Sequence, residues 1–248
     1  MRIILAPAKK MNEDTESLRY AGLPDYLDQT EEILCWLRER SYMELKKLWG
    51  CNDRIVEQNI LRLQQMDIRR NLTPAILSYE GIAYQYMAPM VFEDRQLAYV
   101  QAHLRILSGF YGLLKPLDGV TPYRLEMQAK AAVGDSRDLY ELWGRRLYDG
   151  VCDGDGIIVN LASKEYSKCI EKYLTDEDTC VTCVFGELSG GKVVQKGTYA
   201  KMARGEMVRY MAENEVEEPA GMKAFDRLGY TYQEELSSER EYVFVKGK

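Results

Sequence analysis

The chain opens on a short apolar run, Arg2–Leu5, that Pro7 ends, and its brevity and paired isoleucines predict a buried strand. Across residues 24–66 the apolar positions recur at helical spacing. Within that stretch Ser41 is followed three residues later by Glu44, a capping box that starts one helix. Further helices are predicted over residues 73–86, 93–107, 136–148, 163–173 and 199–214. In the 93–107 segment Leu97, Val100, Leu104 and Leu107 form the apolar stripe, and Gly109 is expected as the left-handed cap. β-Branched runs at 156–161, 181–188, 192–196 and 242–246 predict strands. Ser189, Gly190 and Gly191 join the second to the third and predict a hairpin.

Strands and helices do not alternate regularly, and the first half is mostly helical. The expected fold is therefore mixed α/β (α+β), an irregular mixed sheet flanked by helices, in preference to a doubly wound dinucleotide fold. No repeat, low-complexity tract or Gly/Ser/Pro linker divides the 248 residues, so a single domain over 1–248 is expected.

Composition narrows the chemistry. No run approaches the roughly 20 apolar residues of a membrane span, and the first ten residues carry no small-residue cleavage site, so a cytoplasmic protein is expected. Its six cysteines are then reduced, and most serve as small core side chains. Cys180 and Cys183 have the spacing of a metal or redox pair, but they begin a β-run, where residues three apart face opposite sides. His103 is the only histidine, which excludes histidine-rich metal sites and two-histidine acid/base pairs; no diiron-type carboxylate spacing appears. No metal and no cofactor is expected. The net charge of −6 confines any nucleic-acid binding to a local patch.

Four segments carry polar residues that a core does not explain. Lys9 and Lys10 follow the first strand, at a place where ligands often bind in α/β proteins. Residues 105–127 hold Arg105, Ser108, Gly109, Tyr111, Gly112, Lys115, Tyr123, Arg124 and Glu126, with two glycines that admit a close phosphate or simply end a helix. Asn160, Ser163, Lys164 and Tyr166 follow the 156–161 strand, with Ser163 as a helix N-cap whose amides either bind an anion or only cap. Tyr199, Lys201, Arg204 and Arg209 lie on the 199–214 helix, Lys201 and Arg204 within one turn and Arg209 about 80° from Lys201 on the helical wheel.

These residues carry a family resemblance. The sequence resembles the bacterial YaaA-type peroxide-stress family in a strand followed by Pro-Ala-Lys (7–9), a Leu-Ser-Gly-x-Tyr-Gly-x-Leu-x-Pro-Leu-Asp block (within 106–118) and Pro-Tyr-Arg-Leu-Glu-Met (122–127). It is similar also in Leu-Tyr-x-x-Trp-Gly (139–144), Asn-Leu-Ala-Ser-x-Glu-Tyr (160–166) and Tyr-Ala-Lys-x-Ala-Arg-Gly (199–205). The resemblance implies a cytoplasmic protein that limits peroxide damage by lowering reactive intracellular iron. It further implies a compact fold with a basic cleft able to bind DNA, including distorted duplexes.

Segments 7–10, 105–130, 160–168 and 196–209 carry +2, +2, +1 and +3, which leaves −14 on the rest of a chain whose net charge is −6. That separation fits a positive site on an acidic body. The leading reading is a DNA-binding cleft that collects Lys9, Lys10, Arg105, Lys115, Arg124, Lys164, Lys201, Arg204 and Arg209, with Tyr111, Tyr123, Tyr166 and Tyr199 able to stack on bases. The rival is an enzyme acting on a nucleotide or other phosphorylated small molecule, with Lys9, Glu126 and Tyr111 as candidate catalytic groups. An open groove favours the first and a closed pocket the second.

Overall fold

Ile3, Ile4 and Leu5 are almost wholly buried because their strand lies at the centre of an eight-stranded sheet. The computed structural model describes residues 1–152 and 154–247. The first half of the chain runs β1 (Arg2–Leu5), β2 (Lys10–Met11), α1 (Leu27–Arg38), α2 (Tyr42–Trp49), α3 (Asp53–Gln65), β3 (Thr73–Pro74), α4 (Ala75–Ser78), β4 (Tyr79–Glu80), α5 (Ile82–Met87) and α6 (Asp94–His103). It continues through β5 (Leu104–Ser108), β6 (Gly112–Leu114), β7 (Gly119–Val120), α7 (Leu139–Trp143) and α8 (Arg146–Val151). The rest is β8 (Ile157–Asn160), α9 (Lys164–Glu171), β9 (Thr179–Ser189), β10 (Lys192–Val194), α10 (Gly197–Glu213), β11 (Tyr230–Tyr232) and β12 (Glu241–Lys246).

The sheet order is β11-β12-β9-β8-β1-β5-β6, with β10 paired to β9. Strands β12, β9, β8, β1 and β5 are mutually parallel; β11, β6 and β10 join antiparallel. The sheet is therefore mixed, as expected. Numbered along the chain, its five parallel strands stand in the order 2-1-3-4-5, the strand order of flavodoxin-like sheets. The order reverses between β1 and β8, so the crevice beyond their carboxyl ends is the natural ligand site.

Several elements follow the sequence closely. Ser41 and Glu44 make both bonds of the capping box on α2. The β9–β10 hairpin turns through Gly190 and Gly191, both at positive φ, as a two-residue primed turn requires. Other expectations change. The 93–107 helix stops at His103, and Leu104–Ser108 is a sheet strand. Every residue of that strand is buried, so its apolar run carries no two-residue period to distinguish it from a helix. Gly109 is not at positive φ and caps no helix; it lies in the β5–β6 connection. The 73–86 segment is divided among β3, α4, β4 and α5, and the 136–148 segment breaks at Gly144, whose φ is 52°. Cys183 is buried beside the Met222 sulfur, and burial pushes the Cys180 and Cys183 thiols up to about 11 and about 12.

Asp118 closes the turn after β6. Its carboxylate accepts the Lys115 amide at 2.8 Å, and burial pushes its pKa up to about 7. A group raised above its unfolded value of about 3.9 contributes stability below that value and loses it as pH rises through the folded value. Asp118→Asn keeps an oxygen for the Lys115 amide. It should match wild type near pH 4 and exceed it at pH 8 by on the order of 2 kcal/mol, as read by urea denaturation at the two pH values. A variant less stable at pH 8 would contradict this.

Candidate functional site

The crevice at the switch point is a cavity of about 400 Å³. Its floor is the exit of β1, Leu5 to Lys10, and one wall is Glu80 to Tyr84 at the β4–α5 junction. Tyr123 to Glu126 form the second wall, Leu161 and Ser163 after β8 the third, and Glu165, Tyr166, Lys201 and Arg204 from α9 and α10 complete it.

Close contacts hold these segments in place. A Cβ on Gly81 would lie 2.7 Å from that of Ala8, which presses the β1 exit loop onto α5. A Cβ on Gly109 would lie 2.7 Å from the Leu125 carbonyl, so the 123–127 segment rests directly on the β5–β6 turn. Trp143 braces that turn from outside: its indole donates to the Gly109 carbonyl at 3.1 Å, and its ring fills the space a side chain on Gly112 would need. Ser108 Oγ accepts the Phe110 and Tyr111 amides at 3.2 and 2.9 Å. Its proton is thus directed to the Tyr123 hydroxyl at 2.7 Å, and Tyr123 meets Tyr79 at 2.8 Å. Desolvation raises the Tyr123 phenol to about 12, so it stays protonated and orients the cavity wall.

Five cations line the cavity: Lys9, Lys10, Arg124, Lys201 and Arg204. Glu80, Glu126 and Glu165 line it too. Lys10 pairs with Glu80 across β2–β4 at 2.6 Å, and Glu126 is held by Lys9 at 2.8 Å and Arg124 at 3.5 Å. Glu165 accepts the Gln128 amide at 3.2 Å; burial, with the Glu126 carboxylate nearby, pushes its pKa above the usual carboxylate range. The arginines are the least satisfied groups. Nε of Arg124 and Nε of Arg204 are both buried without a hydrogen-bond partner, and burial depresses the Arg204 pKa. Arg204 forms no ion pair among the described residues. A buried donor left unpaired costs about 1–3 kcal/mol, and more when charged. Two such donors at one cavity invite an anion.

Of the candidates from sequence, the structure brings together Lys9, Lys10, Tyr123, Arg124, Glu126, Ser163, Tyr166, Lys201 and Arg204. Ser163 is the N-cap residue of α9, but its side chain makes no capping bond. The others lie elsewhere. Tyr111 is fully buried with its hydroxyl accepting the Thr121 amide at 3.1 Å, and Ser108, Gly109 and Gly112 shape the turn behind the wall. Arg105 is buried and donates to the carbonyls of Gln101, Ala102 and Leu104. Asn160 accepts the Ala162 amide at 3.0 Å and so bends the chain from β8 toward Ser163. Lys115 pairs with Asp25, Lys164 with Glu171 and Arg209 with Glu213. Tyr199 is exposed beneath Lys196 and Lys246. Glu165, Glu80 and Gly81 are cavity residues that sequence reasoning missed; Glu165 lay inside the Asn-Leu-Ala-Ser-x-Glu-Tyr motif and was the available signal.

The profile of the peroxide stress protein YaaA family matches residues 1–236. The chain belongs to that family. Curated relatives include a UPF0246 protein of Agathobacter rectalis, 62% identical over 99% of each chain. Another, from Lachnoclostridium phytofermentans, is 58% identical over 100% of this chain and 97% of its own, and one from Pediococcus pentosaceus is 50% identical over 100% and 99%. The motifs by which the sequence resembles the YaaA family divide into two groups in space. Those at 7–9, 122–127, 160–166 and 199–205 form the cavity, while those at 106–118 and 139–144 support it. No helix among the described residues is long and apolar enough to cross a membrane.

Proposed function

We propose that this chain acts in the peroxide-stress response of the cytoplasm, limiting reactive intracellular iron as the family resemblance implies, and that its cavity is a DNA-binding cleft which draws in one phosphate-bearing nucleotide. The observation that carries this reading is the pair of buried, partnerless Nε donors of Arg124 and Arg204 at one cavity. A phosphate offers acceptors to Arg204, which has no ion pair among the described residues, and to Arg124, whose one carboxylate lies 3.5 Å away, and arginine matches phosphate geometry better than any other side chain. Lys9 and Lys201 add charge at the opening, and Tyr123 and Tyr166 add aromatic surface. A volume near 400 Å³ suits one nucleotide and not a duplex segment, so a distorted or single-stranded region is the form of DNA that fits.

The second reading is an enzyme acting on a free nucleotide or other phosphorylated small molecule. Glu126 and Glu165 favour it, since two carboxylates beside Lys9 in one cavity offer acid and base. A salt titration of binding to single-stranded DNA separates the two. Wild type should lose affinity steeply with salt, and Lys201→Ala should lower the slope by about 0.7. Binding of a mononucleotide with no measurable affinity for DNA would support the enzyme. Binding of neither at low salt would end the phosphate reading.

A further inference from the structure

Lys9 and Glu126 line two spaces. Sharing their ion pair with the first lies a half-open cavity of about 670 Å³, lined by residues of α1 and α2 and by residues 128–130. Trp49 sits in its wall almost fully buried, yet its indole Nε1 meets no acceptor. An indole nitrogen only donates, and this one has no surface open to the space, so an acceptor reaches it only if the wall shifts. Trp36 lines the same space with the Arg40 guanidinium 4.8 Å over its ring. Arg40 is fixed there: its Nε donates to the Trp36 carbonyl at 3.1 Å, and it pairs with Glu39 and Glu44. The guanidinium is thus held over the half-buried indole. Lys47 and Lys130 stand exposed along the cavity, outside any ion pair among the described residues.

We propose that this second cavity is a further nucleotide subsite, which takes the neighbouring nucleotide of a single DNA strand whose first nucleotide occupies the cleft. The inference rests on the cleft being a nucleotide site. The shared Lys9–Glu126 wall decides the kind of ligand: a molecule spanning both spaces passes Lys9 at its middle, where a phosphodiester carries its charge. Beyond it, the open part of the Trp36 and Arg40 stack suits a base, and Lys47 and Lys130 suit the next phosphate. A mononucleotide would leave all of these unused, and a duplex cannot reach either cavity without unstacking.

The test uses thymidine 5′-monophosphate and the 5′-phosphorylated thymidine dinucleotide as probes, with affinity measured by calorimetry. The dinucleotide should bind wild type at least about tenfold more tightly, the size of one base stacked on an aromatic group. Trp36→Ala and, separately, Lys47→Glu should remove that increment and leave mononucleotide affinity at the wild-type level, since neither residue lines the cleft. Lys47 is exposed, so its variant carries the test if Trp36→Ala does not fold. A dinucleotide no tighter than the mononucleotide, or an increment that survives both substitutions, overturns the second subsite and leaves the cleft reading standing. Absence of mononucleotide binding to wild type overturns the cleft reading, and this one falls with it.

Discussion

Arg204→Met should abolish most of the affinity for a phosphate ligand and, in the same molecule, raise its thermal stability. Both effects come from one observation, a guanidinium Nε buried at the cavity without a partner. In the ligand-free protein the charge is desolvated and uncompensated, so exchanging it for an apolar side chain of similar length removes a cost. A gain of about 1–2 kcal/mol is expected, or roughly 2–8 °C in a chain of this length. With ligand bound, the same guanidinium contributes a charge-assisted bond, and its removal should weaken binding by about 2–4 kcal/mol, some 30- to 1000-fold. Arg204→Lys keeps a charge but lacks the planar fork, so it should recover only part of the affinity. Differential scanning fluorimetry and calorimetry read the two effects independently. A variant that melts lower than wild type, or binds as well, would show that Arg204 is structural.

Gly205→Ala should be among the most damaging single substitutions in the chain. Helix propensity alone predicts a gain of about 1 kcal/mol, because Gly205 lies within α10. Packing reverses the sign. A Cβ there would fall well inside contact distance of the Ala83 carbonyl oxygen, and backbone on α5 cannot rotate away. Overpacking ordinarily costs about 1–3 kcal/mol, and a clash with backbone belongs at or above the top of that range. The shift would also carry Lys201 and Arg204 away from the cavity, so ligand affinity should fall even in the folded fraction. Gly197→Ala is the internal control: it begins the same helix with nothing near its Cβ position, and it should be neutral or slightly stabilising. Equal stability of the two variants by urea denaturation would contradict the packing argument.

Much of the architecture was legible wherever a local rule operates. The capping box on α2 and the Gly190–Gly191 hairpin are set by neighbours in sequence, and both formed as expected. Strand β5 was not legible, because burial on both faces removes the period by which strands are recognised. The glycines at 109 and 112 were read as room for a close phosphate or as a helix stop; they serve the approach of Leu125 and Trp143. In the cavity, the motifs supplied Lys9, Arg124, Lys201 and Arg204, but charge counting could not tell a free cation from a paired one. Arg209 was overlooked in that respect, since Glu213 four residues later announces an ion pair on one helix face. Lys164 and Glu171 are seven apart, also on one face, and pair the same way. Trp36 lies on α1, Lys47 on α2 and Arg40 in the link between them, and only the fold of α1 and α2 against residues 128–130 brings them together.

On the function proposed above, the Arg124 and Arg204 guanidinium groups take a phosphate at the carboxyl ends of β1 and β8. A crystal structure of the protein with thymidine 5′-monophosphate tests it most directly. Phosphate oxygens should lie within hydrogen-bond distance, about 3 Å, of guanidinium nitrogens of both arginines. A nucleotide seated elsewhere, with neither guanidinium group in contact with its phosphate, would contradict it.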